Sequence, residues 1–183
     1  MKLIATRFAG VWIIEPRLFP DRRGWFVESW NRRTFAQAGI DADFVQDNHS
    51  KSSRNVLRGL HFQAPPQAQA KLVRCVAGAV WDVVVDIRHG SPTYGQWEGV
   101  ELAADAQRLL FVPSGFAHGF CVLSETAEIQ YKCSAYYAPE LSFGLRWNDP
   151  AIGVVWPIST PLLSEQDDRH PLLADLPAYF TAP

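Results

Sequence analysis

Three side chains in this sequence are of types that move or steer protons, and their neighbours indicate which way they point. His61 lies in Leu57-Arg58-Gly59-Leu60-His61-Phe62-Gln63, between two large apolar residues. A histidine in such a place is most often a hydrogen-bonded structural residue. It is also the side chain whose ordinary pKa, about 6.5, lets it serve as a base near neutrality. Arg58, in the same extended stretch, is expected on the face of His61, and a cation beside a titratable base points to an anionic substrate. In the stretch Ala127 to Cys133, Ile129, Tyr131 and Cys133 fall on one face and Glu128, Gln130 and Lys132 on the other. Tyr131 therefore points inward, either as a core tyrosine with a partnered hydroxyl or as a proton donor in an interior pocket. Lys71 shares its parity with Val73 and Cys75 and is expected to point inward unless it lies on the loop before the strand, and a lysine turned inward is rare enough to be read as functional. Together these residues spell general acid–base chemistry with a cation to steady a developing negative charge. His118, between small residues in Gly115-Phe116-Ala117-His118-Gly119, is either a ligand contact or a polar residue flanking a turn.

Other chemistries have less support. The five histidines are His49, His61, His89, His118 and His170, no two within four residues of each other. Without H-x-H or H-x-x-x-H spacing, no metal is expected. Neither G-x-G-x-x-G nor G-x-x-x-x-G-K-[ST] occurs, so a fixed dinucleotide or P-loop nucleotide is not expected and no cofactor is invoked. Cys75, Cys121 and Cys133 are odd in number, lack C-x-x-C spacing and sit in strand-like stretches. They read as buried free thiols suited to a reducing cytoplasm.

The elements that must position these residues are mostly strands. Val11–Glu15, Trp25–Trp30, Lys71–Val76, Ala79–Ile87, Gly99–Leu102, Leu109–Val112, Gly119–Leu123 and Ala127–Cys133 are rich in β-branched and aromatic residues. Ala77-Gly78 and Pro113-Ser114-Gly115 mark turns between them. Two short helices are expected: one capped by Asn31 over Arg32 to Ala38 with Gly39 as its stop, and one capped by Ser164. Asp167 then sits where the acidic residue of a capping box would be. Many short strands with little helix argue for an all-β antiparallel sandwich or barrel. Composition does not separate a jelly roll from an immunoglobulin-like sandwich.

A chain of 183 residues is long enough for one domain with a real core, residues 1–183. Its net charge of -2 gives no general attraction to nucleic acid or an anionic membrane, so an anionic ligand needs a local basic cluster. No apolar run approaches a membrane span, and the N-terminus lacks the apolar stretch of a secretion signal.

Several blocks, taken together and in order, resemble the dTDP-4-dehydrorhamnose 3,5-epimerase family. They are Phe44 to Ser50, Leu57 to Gln63, Lys71 to Cys75, Ser91 to Trp97, Val112 to Phe120, Tyr131-Lys132, Tyr136 to Pro139 and Trp147 to Asp149. The resemblance spans nearly the whole chain. It implies a jelly-roll (double-stranded β-helix, cupin-like) subunit, a homodimer, and a cofactor-free epimerase of a dTDP-4-keto-6-deoxyhexose in rhamnose formation. By motif it makes His61 the base, Asp167 its orienting carboxylate, Tyr131 the proton donor, and Tyr137 a ring beside the sugar. Substrate contacts are implied for Arg23, Glu28, Gln46, Asp47, Asn48, Arg58, Lys71 and His118. The chain departs from the family pattern at Gln166, where a basic residue is common, at Ser142, near the place of a frequent glutamate, and at Ala70, where glycine is frequent.

These residue types suit that reaction. In a 4-ketohexose the hydrogens at C3 and C5 both flank the carbonyl. Removing either gives an enolate, and returning a proton to the opposite face inverts the centre. A base on one side of the ring and an acid on the other are required, with a donor such as Lys71 at the enolate oxygen. The competing readings are an epimerase of C3 or C5 alone, a sugar-nucleotide-binding jelly roll without turnover, and a metal-dependent cupin.

Overall fold

A computed structural model describes residues 1–182. In chain order its strands are β1 (Lys2–Ala5), β2 (Trp12–Glu15), β3 (Leu18–Asp21), β4 (Gly24–Val27), β5 (Gln46–Ser53), β6 (Leu57–Gln63), β7 (Lys71–Ala77), β8 (Ala79–Asp86), β9 (Arg88–His89), β10 (Trp97–Ala103), β11 (Leu109–Val112), β12 (Phe116–Val122), β13 (Thr126–Cys133), β14 (Ser142–Gly144) and β15 (Phe180–Thr181). The helices are α1 (Arg32–Gln37) and α2 (Glu165–Asp168).

One sheet runs β1-β2-β11-β7-β13-β5 and the other β10-β8-β12-β6-β14. The pairing is nested: β5 with β13, β6 with β12, β7 with β11, β8 with β10, all antiparallel. A long hairpin has in effect been rolled up so that its successive pairs alternate between two facing sheets. That is a jelly roll, and the expectation from the resemblance holds.

Asp86, fully buried at the end of β8, organises the apex of this hairpin. It accepts from Arg88 N and Nε at 3.0 and 2.9 Å, and from Ser91 Oγ and Thr93 Oγ1 at 2.6 Å each. Burial alone would push its carboxyl up. The bonds from Arg88, Ser91 and Thr93 outweigh burial and bring it down to about 2.

Alternation divides the apolar residues into three groups. Val73, Cys75, Val84, Leu110, Phe116, Phe120 and Ile129 pack between the sheets. Leu60, Phe62, Val83, Val85 and Ala117 face outward from the second sheet, beneath Leu145, Ile152, Leu173 and Leu176 of the C-terminal stretch. Ile14, Leu72, Leu109 and Phe111 face outward from the first sheet, beneath Phe35 of α1 and Ile40. All three cysteines are buried and unpaired.

The structure departs from the sequence expectations in several places. β4 stops at Val27, short of Trp30, and β12 begins at Phe116, ahead of Gly119. Gln46–Ser53 is a full strand although its residues are almost all polar, because it is the edge of its sheet and one of its faces lines a cavity. Arg58 does share the face of His61, although the two are three residues apart and regular alternation would put them on opposite faces. A β-bulge lets both face the interior: His118 pairs with His61 and Phe120 with Arg58, leaving one extra residue in β6. The bulge falls at Gly59, whose φ of 132° and 2.6 Å clearance from Gly119 Cα leave no room for a side chain.

Asp86 sets a pH-dependent part of the stability. Because its folded value is depressed, the stabilisation is complete above the ordinary carboxyl value and is lost as pH falls towards 2. Urea unfolding of the native protein and Asp86→Asn should show a stability difference that shrinks by about 2 kcal/mol between pH 5 and pH 2. A difference independent of pH would contradict this account.

Candidate active site

At one end of the barrel the space between the sheets is polar. Gln46, Asn48, His61, Phe62, Gln63, Gln69, Lys71, Tyr131, Tyr137, Ser142 and Gln166 line a cavity of about 220 Å³. His61 enters from β6 in one sheet, while Lys71 of β7 and Tyr131 of β13 enter from the other. The alternation that sends Leu60 and Phe62 outward sends His61 in, and Val73 and Ile129 mark the inward parity of Lys71 and Tyr131.

His61 Nε2 lies 2.5 Å from Asp167 Oδ1. Asp167 is buried at 4% exposure and belongs to α2, whose first turn is capped by Ser164 Oγ accepting from the Asp167 N–H at 3.1 Å. The two roles open to Asp167 in the sequence are thus divided within one residue. Its backbone completes the cap and its carboxylate goes to the imidazole. With Nε2–H donated to Asp167, the second ring nitrogen, Nδ1, keeps its lone pair free for a proton.

Burial governs the protonation states. It lowers His61, with Asp167 pulling the other way and Lys71 and His170 adding to the fall, so the ring is neutral near pH 7. Burial also lowers Lys71, opposed by Cys133 and Asp82. It raises Tyr131, with Cys133 adding and Asn48 and Arg58 opposing, so the phenol keeps its proton. Asp167 runs the other way. Burial would raise it, but its contacts with His170, His61 and Ser164 hold it well below the usual carboxylate range.

Other residues expected at the site fall into distinct groups. Gln46, Asn48 and Tyr137 line the cavity. Arg58 lies on the inner face of β6 but is exposed, and its Nε donates to Ser52 Oγ at 3.0 Å. His118 is buried deeper in the barrel, 2.8 Å from Asp82 Oδ1, and does not line the cavity. Asp47 is displaced altogether. Strand alternation puts it on the outer face, paired with Lys132 at 2.7 Å beside a separate cavity of about 140 Å³. Arg23 and Glu28 also lie away from the cavity. Arg23 pairs with Asp21 at 2.6 Å with its side chain 83% exposed, and Glu28 accepts from Asn31.

Sequence reasoning gave no role to Gln63, Gln69, Asp82 or His170. Gln63 had a usable signal, since two residues past His61 it shares that residue's face. Its Nε2 donates to the carbonyls of Gln67 and Tyr136 at 2.6 and 2.9 Å, and its Oε1 accepts from Ala138 N at 2.9 Å. Gln46 Oε1 accepts from Tyr137 N, also at 2.9 Å. The loop that presents Tyr137 is therefore tied to the cavity wall on both sides. Both cavity-facing departures from the family pattern, Ser142 and Gln166, lie in this wall.

A family model described as dTDP-4-dehydrorhamnose 3,5-epimerase matches residues 5–175. The chain belongs to that family. A dTDP-4-dehydrorhamnose 3,5-epimerase of Salmonella typhimurium is 55% identical over 175 residues, covering 94% of this chain and 96% of its relative. A dTDP-4-dehydrorhamnose 3-epimerase of Streptomyces niveus is 43% identical, covering 99% of this chain and 91% of its own. Among solved structures, the epimerase of Legionella pneumophila in complex with dTDP-4-keto-L-rhamnose superposes with a TM-score of 0.96 at 44% identity. That match covers 100% of this chain and 98% of the other. No helix among the described residues is long and apolar enough to cross a membrane.

Gln63→Leu should leave the buried Ala138 N–H without an acceptor and cost about 2 kcal/mol in urea unfolding. Because it loosens the loop carrying Tyr137, it should raise KM by more than it lowers kcat. An unchanged KM would remove the link between Gln63 and the ligand.

Proposed function

We propose that this chain epimerises dTDP-4-dehydro-6-deoxy-D-glucose at C3 and C5, giving dTDP-4-dehydro-L-rhamnose for dTDP-L-rhamnose formation. The observation that carries the reading is the placement of His61 and Tyr131 on opposing sheets around one cavity, with Lys71 in the same cavity wall. A binding module has no need of a neutral imidazole backed by a carboxylate and faced by a protonated phenol.

In this reading Nδ1 of His61 takes the proton from the carbon beside the ketone, and the imidazolium that forms is stabilised by Asp167. Charge moves to O4 of the sugar, where the Lys71 ammonium donates. A donor held at a developing oxyanion contributes about 3 kcal/mol to the barrier reduction. Tyr131 returns a proton from the opposite face and the centre is inverted. Once His61 has released its proton to solvent and Tyr131 has regained one, repetition at the other carbon flanking the ketone completes the double epimerisation. Asn48, Gln46 and Arg58 hold the nucleotide end, with Arg58 as the charge partner for the diphosphate. Three buried free thiols suit a reducing cytoplasm. The relatives above 50% identity carry the 3,5-epimerase name, which favours action at both carbons over action at one.

The working unit is a homodimer in which Arg23 and Glu28 serve the partner's cavity. The β3–β4 hairpin supports this, because it carries Arg23 on its turn, leads to Glu28, and leaves Trp25 and Phe26 55% and 67% exposed. Such rings on a projecting hairpin are suited to packing on a second subunit or a flat base.

Incubation with substrate in heavy water, followed by NMR, should show deuterium entering C3 and C5. His61→Asn should slow this exchange by about 10²–10⁴-fold. Tyr131→Phe should reduce completed inversion more than exchange. Exchange by His61→Asn at the native rate would sink the assignment of the base. For the dimer, co-refolded Arg23→Ala and His61→Asn chains should regain activity that neither variant has alone, because one mixed cavity then holds both native residues. No regain would place Arg23 outside the partner's site.

A further inference from the structure

The His61–Asp167 contact has a third member that the epimerase chemistry does not use. His170 follows α2, is only 7% exposed, and has its ring edge-on to that of His61 with centroids 5.5 Å apart. Its Nε2 lies 3.5 Å from the same Oδ1 of Asp167 that receives His61. That separation is long for a hydrogen bond, and Nε2 of His170 has no hydrogen-bond partner among the described residues. A buried ring nitrogen left unpaired costs about 1–3 kcal/mol and needs an explanation.

The arrangement is also sterically selected. The ring of His170 occupies the space over Gly144, where an added Cβ would clash with Nε2. Gly144 pairs with His61 in the sheet, so the missing side chain lets one imidazole lie beside the other. One ligand atom from each of His61, Asp167 and His170 lies within 4.8 Å of the other two.

We propose that His61, Asp167 and His170 form a site for a borderline-soft divalent cation, Zn²⁺ or Co²⁺, whose occupancy blocks proton transfer. Two imidazoles and one carboxylate form the donor set that zinc accepts with a water as fourth ligand. Two nitrogen donors out of three favour zinc, cobalt or nickel over magnesium and calcium, which take oxygen ligands. The ligands reach bonding distance, about 2.0–2.1 Å from a central ion, by small shifts of side chains. The His61–Asp167 hydrogen bond opens and the His61 and His170 rings draw together. Lys71, on the cavity wall with His61, opposes a second cation, so the site is of moderate affinity and reversible. The inhibitory consequence rests on His61 being the epimerase base, because the ion takes the nitrogen through which Asp167 orients that ring. The binding itself does not depend on that reading.

The test is a Co²⁺ titration of the chelator-treated full chain, read by visible absorption, with Zn²⁺ competition. One equivalent per chain should bind with the intense bands of a low-coordinate cobalt site, and Zn²⁺ should bleach them. His170→Gln should weaken binding by about tenfold or more. Gly144→Ala, which evicts the ring while keeping all three ligands in the sequence, should weaken it likewise, and His89→Gln should not. Zn²⁺ should slow deuterium exchange in the native protein and EDTA should restore it, with the half-inhibiting concentration raised in His170→Gln. No cobalt bands at millimolar metal, or equal binding by native protein and His170→Gln, would overturn the site. Binding with unaffected exchange would keep the site and remove the inhibition. A native protein that binds cobalt but never exchanges deuterium would count against the epimerase reading instead.

Discussion

The nested pairing of β5 with β13, β6 with β12, β7 with β11 and β8 with β10 sets the position of every inward side chain. Since side chains alternate strictly along a strand, fixing the register of these pairs fixes which residues meet in the space between the sheets. Through most of that space the inward residues are Val, Leu, Ile and Phe, and they pack. Near one end the same rows continue as Gln46, Asn48, Lys71 and Tyr131 on one sheet and His61 on the other, and the interior becomes a cavity. Core and site are two stretches of one layer. A slip of one residue would exchange His61 for Leu60 and Tyr131 for Gln130.

Burial also does the electrostatic tuning. Removing water disfavours charge, so it lowers His61 and Lys71 and raises Tyr131. For His61 and Tyr131 that is the direction acid–base work requires: a base that is neutral before it acts, and an acid that still holds its proton. Asp167 is the exception. It remains an anion under burial because its contacts converge on it, and it is therefore the fixed charge against which His61 is oriented. Deeper in the barrel His118 and Asp82 form a second buried imidazole–carboxylate pair, in which Asp82 Oδ2 has no hydrogen-bond partner among the described residues. Desolvation of that pair is a stability cost, and it falls on a strand that is otherwise apolar or small.

Much of this was legible in the residues. The turn signals and β-branched stretches located most strands. Alternation correctly turned Lys71 and Tyr131 inward, and the capping residues Asn31 and Ser164 were placed before the helices they cap. The polar strand β5 was missed as a strand because an edge strand facing a cavity carries no apolar alternation to betray it. Arg58 was expected on the face of His61, a result that simple alternation denies and that the bulge at Gly59 restores. Asp47 was carried in with its block-mates Gln46 and Asn48, yet the two-residue period that turns those inward turns Asp47 out to Lys132.

The amino-acid sequence by itself determined the element types, the parity of the inward residues and the family, because each depends on nearby residues or on motifs preserved in order. What only tertiary structure decided is the company each residue keeps. His61, Asp167 and His170 are separated by up to 109 positions, and no local pattern announces that they meet. Their convergence follows from the C-terminal stretch packing its apolar side on the outer face of one sheet, which carries α2 to the mouth of the barrel. That docking depends on buried area summed over many residues, a non-local quantity that spacing within a motif does not encode.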